Sequence, residues 1–307
     1  MLSIASQACP VSRRFALALC WLALVFAAKA ATAAGDNLSA PHVKISLVSE
    51  QNAMIDGKDN WVGFYFQLEP GWHIYWINPG DSGAPPRITW KLPPGFTAGE
   101  ILWPYPERIA TSSLMDYGYE GSVLLMAQLH APPKARTGPV PVAADLRWLV
   151  CRELCLPGHA ELQLSLPVAA ARAPNPKTHS LFESTRQRIP KPAPARWKLR
   201  AQSRKDSFLL SIQSGHPEEI LSFFPLRAGQ IEDAAAQTVR SLPLGASLEL
   251  KKSEQLQQTI PTLTGVVVLA SGQAYVIDAS VPSATAMPNP AGTGGLKKHQ
   301  EALSSSN

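Results

Sequence analysis

Residues 62–68 read Val-Gly-Phe-Tyr-Phe-Gln-Leu, and every second side chain from Val62 to Leu68 is apolar. An apolar residue at every second position is typical of a strand that buries one face. The same period of two recurs in residues 43–47 and in the leucines of residues 162–166. Turn signals such as Pro-Gly separate these runs. About eight candidate strands and no amphipathic helix lie between residues 42 and 167, which predicts an antiparallel β-sandwich over residues 34–167.

The composition changes after this predicted sandwich. Six prolines fall between residues 167 and 196, together with one short possible helix at residues 178–188, so residues 168–196 are predicted to be a linker. Short strand-like runs then resume, which predicts a second, smaller β domain over residues 197–281. The six runs are residues 197–203, 208–213, 220–225, 247–251, 263–270 and 274–279. Residues 282–307 are rich in Ser, Pro, Gly and Lys and are predicted to be disordered.

The N-terminus has the order of an export signal. Arg13 and Arg14 precede an apolar run over residues 15–28, and small residues follow as far as Ala34. We therefore predict a signal peptide over residues 1–33, cleaved after Ala33, and no transmembrane helix in the mature chain. An uncleaved N-terminal anchor is the alternative, although the run is short for a membrane span.

The charge of the chain argues against one class of partner. The sequence has 28 Lys and Arg against 23 Asp and Glu, but three of the basic residues lie in the predicted signal. The remaining 25 basic and 23 acidic side chains give a net charge of +2. Binding to nucleic acid through charge alone is therefore not expected.

Cleavage would also remove Cys9 and Cys20, which leaves Cys151 and Cys155 as the two cysteines of the mature chain. In an oxidising compartment, two thiols four residues apart are expected to pair. Residues at this spacing are about 13 Å apart along a strand, and on a helix their Cβ separation of about 5–6 Å exceeds that of a bridge. The chain must therefore turn between them, and we predict that both sulfurs lie in the connection of a β-hairpin.

The spacing leaves three interpretations of the pair open. A bridge that closes about five residues stabilises a fold by only roughly 2 kcal/mol, which favours a reversible redox bond over a structural one. A non-catalytic exported binding module with a structural disulfide is the second interpretation. The third is a copper or zinc site that includes His159, which follows at the same four-residue interval. In the redox case, Arg152 and His159 would lower the pKa of a neighbouring thiol and Glu153 would oppose this.

The aromatic run at residues 72–76 has no predicted chemistry. Trp72 and Trp76, like Trp90 and Trp103, are expected to pack in the core or at its edge. His73 lies between the first two and receives no role from the sequence.

Three segments carry a family resemblance. They are residues 72–83 (WHIYWINPGDSG), residues 116–121 (DYGYEG) and residues 150–158 (VCRELCLPG). Together they resemble the N-terminal periplasmic region of thiol:disulfide interchange proteins of the DsbD and ScsB type. The predicted second domain joins the resemblance through residues 223–225, 263–270 and 274–279, so that it covers about residues 40–280.

The resemblance implies an immunoglobulin-like domain that takes electrons from a membrane-embedded partner domain and passes them to periplasmic disulfide proteins, with no cofactor or metal. By the same resemblance, Cys155 exchanges with partners and Cys151 resolves the mixed disulfide. Asp116, Tyr117 and Tyr119 match an aromatic-bearing cap that shields the pair. Thiol exchange of this kind requires no acid–base dyad.

A full member of this family continues into a multi-helix membrane domain and a thioredoxin-like domain, and this sequence contains neither. We therefore expect the chain to act as a periplasmic redox relay module. The expected partners are a separate membrane thiol reductase or thioredoxin-like protein, together with periplasmic disulfide proteins.

Overall fold

The computed structural model describes residues 35–282. The predicted signal sequence, and the predicted tail from residue 283 onward, lie outside these residues. Within residues 35–282, helices are too short or too polar to cross a membrane. This part of the chain is almost entirely β structure, as the period of two predicts.

Eleven strands make up the first β region. In chain order they are β1 (Asn37–Ala40), β2 (Val43–Ser49), β3 (Asp59–Leu68), β4 (His73–Gly80), β5 (Arg87–Lys91), β6 (Thr97–Ala98), β7 (Glu107–Thr111), β8 (Leu114–Glu120), β9 (Ser122–His130), β10 (Gly138–Cys151) and β11 (Cys155–Val168). Short strands such as β6 escape a search for alternation because two residues show no period.

These strands form two antiparallel sheets that share one core. The strand order is β1-β2-β3-β9-β6 in the first sheet and β11-β10-β4-β8-β7 in the second, where β5 also pairs with β10. Apolar side chains from both sheets meet between them, among them Ile45 and Phe64 from the first and Ile74 and Leu146 from the second. The predicted fold class, an immunoglobulin-like β-sandwich followed by further β structure, is confirmed.

Strands β4, β8 and β10 of the second sheet each have two faces, because successive side chains of a strand point in opposite directions. On β4, Ile74 and Trp76 point into the shared core. We call this the core face of the sheet. His73 and Tyr75 point the other way, onto what we call the outer face, yet their exposed fractions are only 2% and 1%. The second sheet is therefore covered on both sides at this place.

The second β region follows one helix, α1 (His179–Arg188), which begins within one residue of its predicted position. The strands are β12 (Lys191–Pro192), β13 (Lys198–Ser203), β14 (Ser207–Gln213), β15 (Ile220–Pro225), β16 (Thr238–Leu242), β17 (Gly245–Lys251), β18 (Thr262–Leu269) and β19 (Ala274–Ser280). They form one sheet with the order β15-β18-β19-β13-β14-β17-β16, and β12 pairs with β19. All six strands predicted here are present, whereas β12 and β16 were not predicted.

The segment predicted as a linker packs against the first β region. Phe182 of α1 is fully buried in a cluster with Leu124 and Met126 of β9. The Arg186 guanidinium donates to both carboxylate oxygens of Glu50, at 2.7 and 2.6 Å. Residues 168–196 thus connect the two regions as a packed segment rather than a bare tether. The domain limits at residues 34–167 and 197–281 stay predictions.

The second β region contacts the strands of the second sheet. Phe224 of β15 belongs to the core of the sandwich and meets the ring of Tyr117 edge-on, at 5.2 Å between centroids. The Tyr117 hydroxyl donates to Asp233 at 2.9 Å, and the Asn78 side-chain amide donates to the Pro225 carbonyl at 2.7 Å. The second region therefore supports β4 and β8, the strands that carry the polar outer face.

Candidate thiol–disulfide site

The two cysteines close the longest hairpin of the first β region. Strands β10 and β11 pair without interruption from Gly138 opposite Val168 to Cys151 opposite Cys155. The two Cα atoms lie 4.1 Å apart, and the sulfurs form a disulfide. Residues 152–154 make the turn. The predicted position of both sulfurs at a hairpin connection is therefore what the structure shows.

The two cysteine residues differ in their exposure to solvent. Cys151 is 2% exposed, whereas Cys155 is an exposed residue. Leu154, beside Cys155 at the turn, is 67% exposed and adds an apolar contact surface next to the reachable sulfur. Exchange requires direct approach of one sulfur to another, so an incoming thiol can reach Cys155 and not Cys151.

Two side chains of β4 face the disulfide on the outer face. His73 lies directly opposite Cys151 in the pairing of β4 with β10. The Tyr75 hydroxyl lies 3.5 Å from the Cys155 sulfur and 3.5 Å from the Ser82 hydroxyl. Burial raises the pKa of the Tyr75 hydroxyl, so this group stays protonated and can donate a hydrogen bond to a Cys155 thiolate.

Asp116 of β8 completes the polar cluster. Its Oδ1 accepts hydrogen bonds from the Ser82 hydroxyl at 2.8 Å and from the Ser82 backbone N–H at 3.1 Å. Its Oδ2 lies 3.6 Å from Nε2 of His73. Burial alone would raise the pKa of the Asp116 carboxyl, but the neighbouring imidazole and the two Ser82 donors outweigh this and lower it. Asp116 is therefore a buried carboxylate, held on one side by Ser82 and facing His73 on the other.

Residues 81–86, between β4 and β5, cover this cluster from outside. Gly83 has a backbone φ of +75°, and a Cβ on it would overlap Cζ of Tyr75. A larger residue would be strained in this conformation and would also displace the ring. The glycine thus lets the backbone lie directly on Tyr75, which explains how polar side chains on the outer face are buried.

The turn between the cysteines is held by an aromatic stack. The Arg152 guanidinium lies over the Trp72 ring, 5.4 Å from its centroid, and His42 stacks on the same ring at 3.8 Å. Glu153 is exposed at the end of the turn. Arg152 therefore fixes the turn through its contact with Trp72, and the influence of Arg152 and Glu153 on a thiol pKa stays a prediction.

The residues predicted to cap the disulfide lie on different faces. Tyr117 and Tyr119 belong to the core face, where both rings are fully buried and the Tyr119 hydroxyl donates to the Pro104 carbonyl at 2.7 Å. The Tyr117 hydroxyl is used by the second β region. Both rings lie on the face opposite the disulfide, because adjacent strands place them with Ile74 and not with Tyr75, and their shielding role stays a prediction. Of the predicted cap, Asp116 alone faces the site.

His159 lies away from the sulfurs. It is opposite Arg147 in the hairpin, four residues along β11 from Cys155, which is about 13 Å along a strand. Its Nε2 and Oδ2 of Asp145 are 2.6 Å apart. The proposed copper or zinc ligand set of both cysteines and His159 is therefore not assembled, and a direct effect of His159 on the thiols is not supported by this position.

Among residues 35–282, one group of side chains has the spacing of metal ligands. It consists of Glu50, His179 and Glu183. The Arg186 guanidinium binds both carboxylates and offsets one of their two negative charges, so ion pairs with Arg186 account for the position of Glu50 and Glu183 without a metal ion.

The sequence interpretation missed His73, Tyr75 and Ser82. All three lie within residues 72–83, a segment that contributed to the family resemblance and to the expected core packing but received no predicted chemistry. Their importance depends on which strand each one faces, and that pairing is set by contacts about 40 to 80 residues away along the chain.

Comparison with known proteins agrees with this architecture. Residues 45–167 match the family model described as "Thiol:disulfide interchange protein DsbD, N-terminal". The fold is similar to the crystal structure of the N-terminal periplasmic domain of ScsB from Proteus mirabilis, with a TM-score of 0.60 and 16% identity over 80% of this chain and 96% of that chain. A search of curated proteins gave no match.

Two further crystal structures align with lower scores. One is a protein of unknown function from Porphyromonas gingivalis, with a TM-score of 0.24 and 11% identity over 78% of this chain and 99% of that chain. The other is the major pilin subunit BcpA of Bacillus cereus, with a TM-score of 0.25 and 8% identity over 79% of this chain and 67% of that chain. Neither bears on the function.

Proposed function

Because residues 45–167 match the family model of the DsbD N-terminal domain, we propose that this chain is a periplasmic thiol–disulfide exchange module that relays reducing equivalents through Cys151 and Cys155 to partner disulfide proteins. The observation that carries the proposal is the asymmetry of the pair. An exposed sulfur, Cys155, is bonded to a buried one, Cys151, at the end of a hairpin. A disulfide that serves only stability requires neither an exposed cysteine nor a buried polar cluster beside it.

The exchange follows from this asymmetry. In the reduced form, a Cys155 thiolate attacks a partner disulfide, and the partner releases one of its sulfurs as a thiolate. Cys151 then attacks the Cys155 sulfur of the mixed disulfide and displaces the second partner sulfur, so that the partner is reduced and the pair is oxidised. The Tyr75 hydroxyl is placed to stabilise the Cys155 thiolate, and no cofactor takes part.

The partners belong to the proposal as well. A thioredoxin-like protein or a separate membrane thiol reductase would reduce the pair, and periplasmic disulfide proteins would accept the electrons. The export signal predicted at residues 1–33 supports this location, as does the similarity to the ScsB domain, which is periplasmic.

The proposal is tested by trapping the intermediate. Cys151→Ser leaves the exposed Cys155 without its resolving sulfur, so it should accumulate a mixed disulfide with an oxidised thioredoxin-like protein. Cys155→Ser is the matched control and should trap little, because Cys151 is buried. If Cys151→Ser forms no adduct and thioredoxin-type reductants do not reduce the wild-type bond, the relay function is excluded. The alternative of a binding module with a structural disulfide predicts that outcome, with a loss of stability in both variants.

A further inference from the structure

The buried position of Cys151 creates a chemical problem for the resolving step. Only a thiolate attacks a disulfide, and removal from water disfavours the charged form of a thiol. Cys151 is 2% exposed, so water has little access to its proton. A resolving cysteine in such a place needs a proton acceptor within the protein.

His73 is the buried titratable side chain next to Cys151 in the sheet. It lies directly opposite Cys151 on the adjacent strand. Side chains of directly opposed residues lie on the same face, with Cβ atoms about 4.5–5.5 Å apart. Both residues are 2% exposed, so the two side chains are buried next to each other.

The Nε2 atom of His73 is buried and has no hydrogen-bond partner within normal distance. Buried polar atoms are almost always paired in native proteins, so an unpaired one needs an explanation. Its nearest acidic neighbour is Oδ2 of Asp116, at 3.6 Å. A protonated imidazole would face this carboxylate at a distance slightly longer than that of a charge-assisted hydrogen bond.

Ser82 and Thr111 hold the Asp116 carboxylate in this orientation. Ser82 donates to Oδ1 from its hydroxyl and its backbone N–H, and the Thr111 hydroxyl donates to Oδ2 at 3.4 Å. A base that is oriented by a third, fixed group is the usual arrangement around a nucleophilic side chain.

We propose that His73 accepts the proton of the Cys151 thiol during the resolving step and that Asp116 positions its ring and stabilises the imidazolium. This inference rests on the proposed function. The Cys151 sulfur gives its proton to the imidazole and its electron pair to the new bond with Cys155. The bond between Cys155 and the partner breaks, and the partner sulfur leaves as a thiolate that is protonated by solvent. In the opposite direction, His73 returns the proton to Cys151 when the disulfide is opened.

The groups that face His73 come from three elements. They are Asp116 and Glu120 on β8, Cys151 on β10, and Tyr75 on β4 itself, which meets the imidazole edge-on at 5.1 Å between ring centroids. Tyr75 is held protonated by burial, and Glu120 is exposed. Asp116 is therefore the one buried anion in this set, and the pH dependence of resolution reports on the pair that it forms with His73.

The experiment separates the two chemical steps. Reduced full-length chain with Cys9→Ser and Cys20→Ser is mixed with dithiobis(nitrobenzoate) at equimolar concentration, and release of thionitrobenzoate is followed by absorbance. Attack by Cys155 releases the first equivalent, and resolution by Cys151 releases the second. In His73→Phe, which keeps a ring at the position, the first phase should stay within twofold and the second should slow by about 10²-fold or more at pH 7.

Two further measurements complete the test. The slow second phase of His73→Phe should rise steadily with pH, because hydroxide must replace the imidazole, whereas the wild-type phase is already fast at pH 7. Asp116→Asn should slow the second phase in the same direction, and it takes the place of His73→Phe should that variant not fold. His130→Phe, on the other sheet, is the matched control and should leave both phases unchanged.

The outcomes distinguish the two proposals. A second phase of unchanged rate and unchanged pH profile in both His73→Phe and Asp116→Asn overturns the role of His73 while leaving exchange intact. If wild-type protein shows no second phase, Cys151 does not resolve, and the proposed function fails together with this inference.

Discussion

The core face and the outer face of strands β4 and β8 are equally buried but chemically opposite. On the core face, Ile74, Trp76 and Tyr117 pack among apolar side chains from both sheets and from the second β region. On the outer face, His73 and Asp116 lie under a loop whose backbone rests on Tyr75. Burial of apolar side chains stabilises the fold, whereas burial of a carboxylate and an imidazole is costly unless they are paired.

On strand β4, the core-face side chains therefore contribute to stability, and the outer-face side chains face the disulfide. The core-face side chains are explained by packing, together with the hydrogen bonds that the Tyr117 and Tyr119 hydroxyls donate to Asp233 and to the Pro104 carbonyl. The outer-face residues are explained only by their neighbour, the disulfide, because a stable sandwich would not need a buried carboxylate beside a histidine. The following changes test this division.

The largest effect is expected on the core face. Trp76→Ala removes a side chain that is 1% exposed from the shared core and should lower the free energy of unfolding by about 3–5 kcal/mol. Urea unfolding of the oxidised protein, followed by circular dichroism, measures this loss. A change below about 1 kcal/mol would show that the core face contributes little to stability.

Asp233 is the next test, because it is the titratable group that meets the core-face Tyr117. Burial raises the pKa of Asp233 from 3.8 to about 6, so the folded protein holds more protons than the unfolded chain between these values. The free energy of unfolding should therefore fall by about 2 kcal/mol as the pH rises from about 4 to 6, and by up to about 3 kcal/mol once the folded-state group has fully ionised above that. Asp233→Asn keeps an oxygen acceptor for the tyrosine and should remove this fall. Parallel pH profiles for wild type and variant would contradict the assignment.

A smaller effect is expected where the loop covers the outer face. Gly83→Ala places a methyl group against the Tyr75 ring and should cost about 1–3 kcal/mol. Gly272→Ala is the matched control, since Gly272 has a similar φ of +80° and no atom within 4 Å of the position that an added methyl group would take. The difference between the two variants in thermal unfolding gives the cost of the contact with Tyr75. Equal losses would show that the loop does not press on this ring.

The smallest effect on stability should come from single hydroxyl groups. Tyr75→Phe and Tyr119→Phe each remove one hydroxyl and should each cost about 0.5–1.5 kcal/mol. Only Tyr75→Phe should slow the reaction of reduced Cys155 with iodoacetamide, by roughly two- to tenfold, because one hydrogen bond to the thiolate is lost. Equal alkylation rates in the two variants would show that the Tyr75 hydroxyl does not affect the reactivity of Cys155.

Local sequence patterns were sufficient for most of the strands and for the cysteine hairpin. Alternation located β2 and β3, and the turn between Cys151 and Cys155 followed from the reach of a disulfide. Alternation gives no signal at residues 72–76, where all five side chains are buried, because it requires one face of a strand to be open to solvent.

The site depends on which residues face each other on neighbouring strands, and the alternation of apolar residues along one strand does not predict this. Tyr117 and Tyr119 were matched to a cap by their position in the sequence. Each lies an odd number of residues from Asp116 along β8, so both point to the core face while Asp116 points to the outer face. His73 acquires its significance from the register that sets it opposite Cys151, about 80 residues away along the chain. Such a register is fixed by the whole sheet and not by the residues next to the histidine.

The reduction potential of the Cys151–Cys155 bond tests the central claim most directly. Equilibration of the chain with glutathione redox buffers, with the thiol state read by alkylation and mass spectrometry, gives this value. An exchange module should have a potential between about −270 and −120 mV, the range of proteins that pass electrons between thiols. A value below about −300 mV, which is typical of structural disulfides, would contradict the account.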